Sequence, residues 1–272
     1  MSKRIWIGAV IALVVIVGLA LFIFAGKNTS LPQGSNSSHG SAQELLNNAA
    51  ALEQKNEWQQ AKELYQKLIA EYSDFKDIAQ VQKKSEDLNM KIIFSGIETP
   101  QTVIHEVKAG DSLAKIAKQY NTTIELIKRS NGLTSDMIRA GQRLRIWTGV
   151  FSVFVDKSQN ILILKCNDEV VKVYQVATGA NNITPVGTFT VINKLTNPSW
   201  YKSGAVIPPG SPENILGTRW LGFDIAGYGI HGTTDPQSIG QQLTAGCVRM
   251  RNEEVEELYS LLPAGTQVTI ID

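Results

Sequence analysis

An uncharged run of 21 residues near the N-terminus constrains the fold of this 272-residue chain more than any other feature. A helix from Ile5 to Ala25 is about 30 Å long, which matches the hydrocarbon thickness of a bilayer. Lys3 and Arg4 precede the run, so the positive-inside bias leaves the N-terminus in the cytoplasm. A cleaved signal peptide is the alternative, although its apolar region is usually only about 7–15 residues long. We expect residues 1–25 to be a single-pass membrane anchor and the remainder to be exported.

The composition changes twice after this run. Residues 26–40 are small and polar, which predicts a flexible linker. From Ser41, apolar residues recur at three- and four-residue spacing with a break near Asn56, which predicts a helical hairpin and a third helix over about 74–93. The helical region over residues 41–96 contains six residues that resemble one tetratricopeptide (TPR-like) repeat, namely Ala51, Leu52, Trp58, Ala61, Tyr65 and Leu68. One repeat is too few for a solenoid, so we expect a helical spacer or a dimerisation element.

Residues 101–148 predict a βααβ unit. Val103–Val107 and Gly141–Ile146 have strand patterns, while Leu113–Tyr120 and Ile124–Ser130 have helical patterns. Asp111 or Ser112 is a suitable cap for the first helix.

The motif residues of this unit resemble the LysM module. They are Val107, Gly110-Asp111-Ser112-Leu113, Ile116-Ala117, Tyr120, Leu126, Asn131-Gly132-Leu133, Ile138 and Gly141-Gln142-Arg143-Leu144. The resemblance implies binding of N-acetylglucosamine (GlcNAc)-containing glycan strands in a shallow groove, bordered here by Gly110–Leu113 and Asn131–Thr134. His105 is expected to stack or hydrogen-bond at the strand edge.

Histidine and cysteine are scarce in this chain. It contains three histidines, His39, His105 and His231, and two cysteines, Cys166 and Cys247. These residues are too few and too scattered for ordinary zinc ligation, so no metal and no other cofactor is expected. The net charge of +1 gives no reason to expect a nucleic-acid partner.

The two cysteines lie in different surroundings. Cys166 ends a strand-like apolar run and is expected to be buried and inert, whereas Cys247 lies in a glycine-containing segment and is expected to be reactive. Because an exported chain with two cysteines can form a disulfide, a Cys166–Cys247 bridge is the alternative.

Residues 150–272 predict a mainly-β domain, sandwich or barrel-like, with one helix. The helix is expected to begin with Asn252 as its N-cap and to end before Pro263. Strands are predicted over residues 152–156, 161–165, 170–177, 187–193, 223–231 and 267–271.

Six ordered motifs in this region resemble the L,D-transpeptidase (YkuD-type) catalytic domain. They are Thr178-Gly179, Thr184 to Phe189, Val206 to Gly210, Leu216 to Trp220, Gly229 to Thr233 and Thr244 to Met250. The resemblance implies a multidomain bacterial enzyme, on the extracytoplasmic side of the membrane, that cross-links peptidoglycan stem peptides by acyl transfer. Carbapenem-type β-lactams are then expected inhibitors. Hydrolysis or D-amino-acid exchange, or a noncatalytic wall-binding anchor, are the alternatives.

The resemblance assigns Cys247 as the nucleophile and His231 as its base. A thiol is a strong nucleophile at neutral pH once a base or a positive charge increases its thiolate fraction. The resemblance also implies that the Gly232 carbonyl holds the other ring nitrogen of His231.

Three further residues around Cys247 have expected roles. The backbone N–H groups of Gly246 and Cys247 are candidates for binding the oxyanion. Arg249 either lowers the pKa of the thiol, holds a substrate carboxylate, or braces the loop in an ion pair. Thr244 is expected to stabilise the loop by hydrogen bonding, and Ala245 stands where many relatives carry histidine.

Overall fold

The structure is a computed structural model that describes residues 37–202 and 204–272. The membrane anchor predicted for residues 1–25 lies outside the described residues. Within the described ranges, no helix is long and apolar enough to cross a membrane. The chain forms two compact units, one ending at Ile92 and the other spanning Ile93–Asp272.

The first unit is helical. It contains α1 (Ser37–Gln54), α2 (Trp58–Glu71) and most of α3 (Ile78–Phe94). Glu53 of α1 accepts hydrogen bonds from Tyr65 Oη of α2 at 3.0 Å and from Lys84 Nζ of α3 at 3.0 Å. These contacts connect all three helices, and the predicted helical hairpin and third helix are confirmed. The role of this unit as a spacer or dimerisation element stays a prediction. Its likeness to a TPR repeat stays a prediction.

Helix α1 begins at Ser37, inside the segment predicted to be a linker. The linker therefore cannot extend over the whole of residues 26–40. Composition averaged over a window misses such a boundary, because extending an existing helix costs far less than nucleating one.

The βααβ unit has the predicted order of elements. Strands β1 (Thr102–Glu106) and β2 (Arg143–Trp147) pair antiparallel, and helices α4 (Leu113–Gln119) and α5 (Ile124–Ser130) lie between them in the chain. Ser112 caps α4 by accepting a hydrogen bond from Lys115 N at 3.3 Å. The His105 ring lies between Tyr120 Oη at 3.1 Å and Asp111 at 3.0 Å, so the predicted hydrogen bonding is confirmed.

The remaining residues form a mainly-β domain around one large sheet. Its strands are β3 (Phe151–Asp156), β4 (Ile161–Cys166), β5 (Glu169–Gln175), β7 (Gly187–Thr196), β10 (Arg219–Phe223), β11 (Gly229–His231), β13 (Val248–Arg249) and β14 (Gln267–Ile271). Their order across the sheet is β13-β11-β10-β7-β14-β3-β4-β5. Two small pairs accompany it: β6 (Thr178–Gly179) with β12 (Gln242–Thr244), and β8 (Trp200–Lys202) with β9 (Ala205–Ile207).

Helix α6 (Asn252–Leu261) buries Val255, Leu258 and Leu261, as predicted. Within the second compact unit, the βααβ unit contacts this helix, since Thr123 Oγ1 donates a hydrogen bond to the Ser260 carbonyl.

The single strand predicted over residues 223–231 is wrong. Strand β10 ends at Phe223 and β11 begins at Gly229, and the two pair antiparallel. The turn between them contains Gly227 with φ +84° and closes with Phe223 N donating to Tyr228 O at 2.9 Å. Apolar residues on both sides of the turn made the stretch resemble one strand. Strands of two or three residues, such as β6 and β13, were missed because they are too short to show an alternating pattern.

Candidate active site

Parallel pairing of β11 with the edge strand β13 brings the predicted catalytic residues into one place. Ile230 pairs with Val248, and His231 pairs with Arg249. Cys247 comes directly before β13. The histidine and the cysteine, sixteen positions apart in sequence, are therefore neighbours at one edge of the sheet, with Arg249 beside both.

His231 is a buried, oriented imidazole. Its side chain is only 2% exposed, and its Nδ1 lies 2.7 Å from the Gly232 carbonyl oxygen. Since a carbonyl only accepts, Nδ1 carries the proton and Nε2 keeps its lone pair. The contact expected between His231 and Gly232 is confirmed.

Burial sets the charge of this imidazole. It lowers the pKa of His231 from 6.5 to about 4; the Gly232 hydrogen bond opposes this effect and the Arg249 charge adds to it. His231 is consequently neutral at neutral pH and available to accept a proton.

Cys247 has a free, half-buried thiol, and Cys166 is free and buried. The alternative of a disulfide between them is therefore wrong for this structure. Burial raises the pKa of the Cys247 thiol, while a hydrogen bond with the Gly229 backbone and the charge of Arg249 lower it. At neutral pH the resting pair is a neutral thiol and a neutral imidazole.

Thr244 braces the turn that carries Cys247. Its Oγ1 donates to the Cys247 carbonyl at 2.7 Å and accepts from the Gly246 N–H at 3.1 Å. The predicted stabilising role of Thr244 is confirmed. The same contact occupies the Gly246 N–H, one of the two expected oxyanion donors.

Gly246 is required by its surroundings. It has φ +117°, and a Cβ at this position would lie 2.6 Å from a ring carbon of Tyr228. The aromatic ring thus packs directly on the backbone that precedes the thiol.

Arg249 is 7% exposed, and its backbone pairs with Ala177 through two hydrogen bonds of 2.8 Å. In the described part of the chain, its Nε is buried without a hydrogen-bond partner. None of the ion pairs within 4.0 Å in that part includes it, but the charge of Asp235 acts on it from a greater distance and raises its pKa against the effect of burial. The bracing ion pair stays a prediction.

The predicted N-cap at Asn252 is wrong. Arg251 is the N-cap residue, and Asn252 is the first residue of α6. The Asn252 side chain instead contacts two loops, one of which follows His231. Sequence reasoning included Trp220 in a motif but missed that its indole stacks on the imidazole of His231. Local pattern gives no signal for either contact, because the partners are distant in sequence.

Of the two predicted groove borders of the βααβ unit, the one at Asn131–Thr134 contributes residues to a cavity. Asn131 and Gly132 line a cavity of about 520 Å³ together with Arg129, Arg143 and Arg145. Residues Gly110–Leu113 do not line it. The glycan-contacting residues therefore stay predictions.

Comparison with known proteins agrees with this architecture. A cysteine thiol with a histidine as its base is a known arrangement for covalent catalysis. Residues 151–270 match the family model of the L,D-transpeptidase catalytic domain, and residues 105–147 match that of the LysM domain.

Named relatives establish the family. The chain is 44% identical over 126 residues to "Putative L,D-transpeptidase YqjB" of Bacillus subtilis, a match that covers 44% of this chain and 70% of that protein. It is 35% identical over 173 residues to "Putative L,D-transpeptidase YkuD" of the same species, covering 61% and 97%. The chain belongs to the L,D-transpeptidase family and carries a LysM domain.

Among solved structures, an L,D-transpeptidase from Mycobacterium smegmatis matches with 18% identity and a TM-score of 0.39. That match covers 48% of this chain and 64% of the other.

Proposed function

We propose that this chain cross-links peptidoglycan stem peptides through a thioester on Cys247. The observation that carries the proposal is the β11–β13 register, in which His231 pairs with Arg249, two residues after Cys247, while the Gly232 carbonyl holds the Nδ1 of His231.

The first half-reaction forms the acyl-enzyme. His231 Nε2 takes the Sγ proton while Sγ attacks the carbonyl carbon between the L-centre and the following D-residue of a tetrapeptide stem. The C–N bond then breaks, and the imidazolium gives its proton to the leaving amine. The products are a thioester on Cys247 and a free D-amino acid.

The second half-reaction transfers the acyl group. A side-chain amine of a neighbouring stem attacks the thioester carbonyl and passes a proton to His231. The C–S bond breaks, and the imidazolium returns that proton to the Cys247 thiolate. Water or a free D-amino acid as the acceptor would give hydrolysis or exchange instead.

The pKa directions favour proton transfer at the moment of attack. The pKa of Cys247 is raised and that of His231 is lowered to about 4, so an ion pair is not the resting state. The positive charge of Arg249 favours the thiolate as it develops. Its Nε, which has no partner in the described part of the chain, is suited to a substrate carboxylate.

The Cys247 N–H is the donor we assign to the oxyanion. The Gly246 N–H donates to Thr244 Oγ1. It can bind the oxyanion as a second donor only after substrate binding has broken that hydrogen bond.

The LysM domain is proposed to hold glycan strands near the active site. A weak glycan contact on the same chain raises the local concentration of stem peptides.

We further propose that residues 1–25 anchor the protein in the bacterial membrane with the catalytic domain on the extracytoplasmic side. The proposal is supported by the uncharged 21-residue run after Lys3 and Arg4. Cell fractionation with alkaline washing tests the anchor, because a cleaved protein would leave the membrane fraction.

Intact-mass spectrometry of the full chain in detergent tests the chemistry. Incubation with a disaccharide-tetrapeptide, and separately with a carbapenem, is expected to give an adduct on the wild type and none on Cys247→Ala. Dimeric product indicates transpeptidation, whereas shortened monomer indicates hydrolysis. A folded wild type with a free thiol, no adduct and no product would favour the noncatalytic anchor.

A further inference from the structure

The peptide group between Gly232 and Thr233 is held at both ends. Its carbonyl oxygen accepts from His231 Nδ1 at 2.7 Å, and its N–H donates to Asn252 Oδ1 at 3.0 Å. A peptide group is planar, so fixing the N–H direction also fixes the direction of the carbonyl that orients the imidazole.

The Asn252 side chain is itself fixed. Oδ1 also accepts from Thr218 N at 3.2 Å, and Nδ2 donates to the Thr233 carbonyl at 2.8 Å. Asn252 is the first residue of α6, and the helix is anchored in the core by Val255 and Leu258. The amide therefore links the rigid helix to the loop that follows His231.

Two glycines leave room for this amide. A Cβ on Gly217 or on Gly232 would overlap Asn252 Oδ1. Gly217 also has φ +63°, in the left-handed region that favours glycine. Both loops thus approach the side chain of Asn252, which also holds the Gly232–Thr233 peptide group.

We propose that Asn252 is a positioning residue for His231 and acts through the Gly232–Thr233 peptide group. Consecutive hydrogen bonds from Nδ1 through this peptide group to Asn252 polarise one another and hold the tautomer that leaves Nε2 free. The inference rests on the proposed role of His231 as the base. It extends the pair of Cys247 and His231 by a third side chain that never touches the ring.

The test is a long-range proton–nitrogen NMR spectrum of the full chain in detergent, with the His231 signals assigned by His231→Gln. Asn252→Ala is expected to move the Nδ1–H resonance upfield or to lose it through exchange with water. In the same variant kcat is expected to fall about tenfold with little change in KM, because the base and not the substrate is misplaced. A folded Asn252→Ala with a wild-type resonance and kcat would overturn the proposal.

Asn214→Ala is the matched control for stability. Asn214 is a buried asparagine that donates to Pro198 O at 2.9 Å and accepts from Leu216 N at 3.0 Å, without contact to the Gly232–Thr233 peptide group. Its loss is expected to lower the melting temperature and to leave the His231 resonance in place. A similar movement of the resonance in this control would also contradict the proposal.

Asn252→Asp keeps the test decisive if the alanine variant does not fold. Its carboxylate is a stronger acceptor for the Thr233 N–H but no longer donates to the Thr233 carbonyl, so the Nδ1–H resonance is expected to move from its wild-type position. An unchanged resonance would overturn the inference. Failure of the proposed function is a separate result, since a wild type without Cys247-dependent product can still show how the resonance responds to Asn252.

Discussion

The Trp220 indole stacks on the His231 imidazole with ring centroids 6.0 Å apart and planes inclined by 19°. The two residues are also directly paired in the β10–β11 ladder. Trp220 is fixed in turn by a hydrogen bond of 3.0 Å from its Nε1 to Asn193 Oδ1. One face of the base is thereby shielded from water by a side chain that is itself held in place.

Trp220→Leu is expected to raise the pKa of His231 from about 4 toward its ordinary value of 6.5. Burial is the main cause of the low pKa, so loss of shielding outweighs the loss of aromatic stabilisation of the imidazolium. The acid limb of the turnover–pH profile should move to higher pH. Trp220→Phe keeps an aromatic face and should move the limb less. Equal profiles for the wild type and the leucine variant would contradict this reading.

Removal of the Arg249 charge should affect both reacting groups in the same direction. The charge lowers the pKa of Cys247 and that of His231, so Arg249→Gln raises both. Iodoacetamide alkylation of Cys247 at pH 7 should slow by roughly tenfold, because a smaller fraction of the thiol is ionised, and the acid limb of turnover should move to higher pH.

Arg251→Gln is the matched charge control for Arg249. Arg251 lies two residues later and pairs at 3.4 Å with Glu254. It should leave the alkylation rate unchanged, and Arg249→Lys should retain most of the wild-type rate. Equal slowing in the variants at positions 249 and 251 would show that the effect is one of net charge and not of the site.

Stability should depend on pH through His231. Its pKa is about 4 in the folded protein and 6.5 in the unfolded chain, so the unfolded chain binds the proton first as the pH falls. The contribution is complete above pH 6.5 and is lost progressively as the pH falls toward 4. Between pH 7 and pH 5 it amounts to about 2 kcal/mol of unfolding free energy.

Urea unfolding of wild type and His231→Gln at both pH values measures this contribution. The wild type should lose more stability than the variant on acidification, although the variant starts lower. Parallel losses would mean that His231 is not buried in its neutral form.

Local sequence information was sufficient for some features and not for others. The β4 run and the Ser112 cap depend on neighbours within a few residues, and both were predictable. His231 and Cys247 stood out because the chain has few other histidines and cysteines. Asn252 was predicted to cap its helix, because asparagine is a common N-cap residue. Its side chain instead bonds to residues 19 and 34 positions earlier and so connects two loops, which local sequence cannot indicate.

The hydrogen bond that occupies the Gly246 N–H was also not predictable from local sequence. The expectation of an oxyanion donor followed from the position of the glycine beside Cys247. Its actual partner, Thr244 Oγ1, becomes available only when the turn folds back on itself. Tertiary contacts of this kind are decided by packing and leave no periodic signal.

Gly246→Ala tests whether the close packing of Tyr228 on the backbone places the thiol. The added Cβ would lie 2.6 Å from the Tyr228 ring at a φ of +117°, so the ring or the Cys247 turn has to move. Turnover should fall by about 100-fold or more, since misplacement by about 1 Å carries a cost of that size. Adding Tyr228→Ala should restore part of the activity, because it removes the clash but not the backbone strain.

Gly265→Ala separates backbone strain from the effect on the site. Gly265 has φ +97° and nothing within 4 Å of an added Cβ, so the substitution introduces strain without a clash. It should lower the melting temperature while turnover stays near that of the wild type. If Gly246→Ala and Gly265→Ala reduced turnover equally, strain alone would account for the loss. A loss confined to Gly246→Ala, partly reversed by Tyr228→Ala, would place the cause in the contact between Tyr228 and the backbone that carries Cys247.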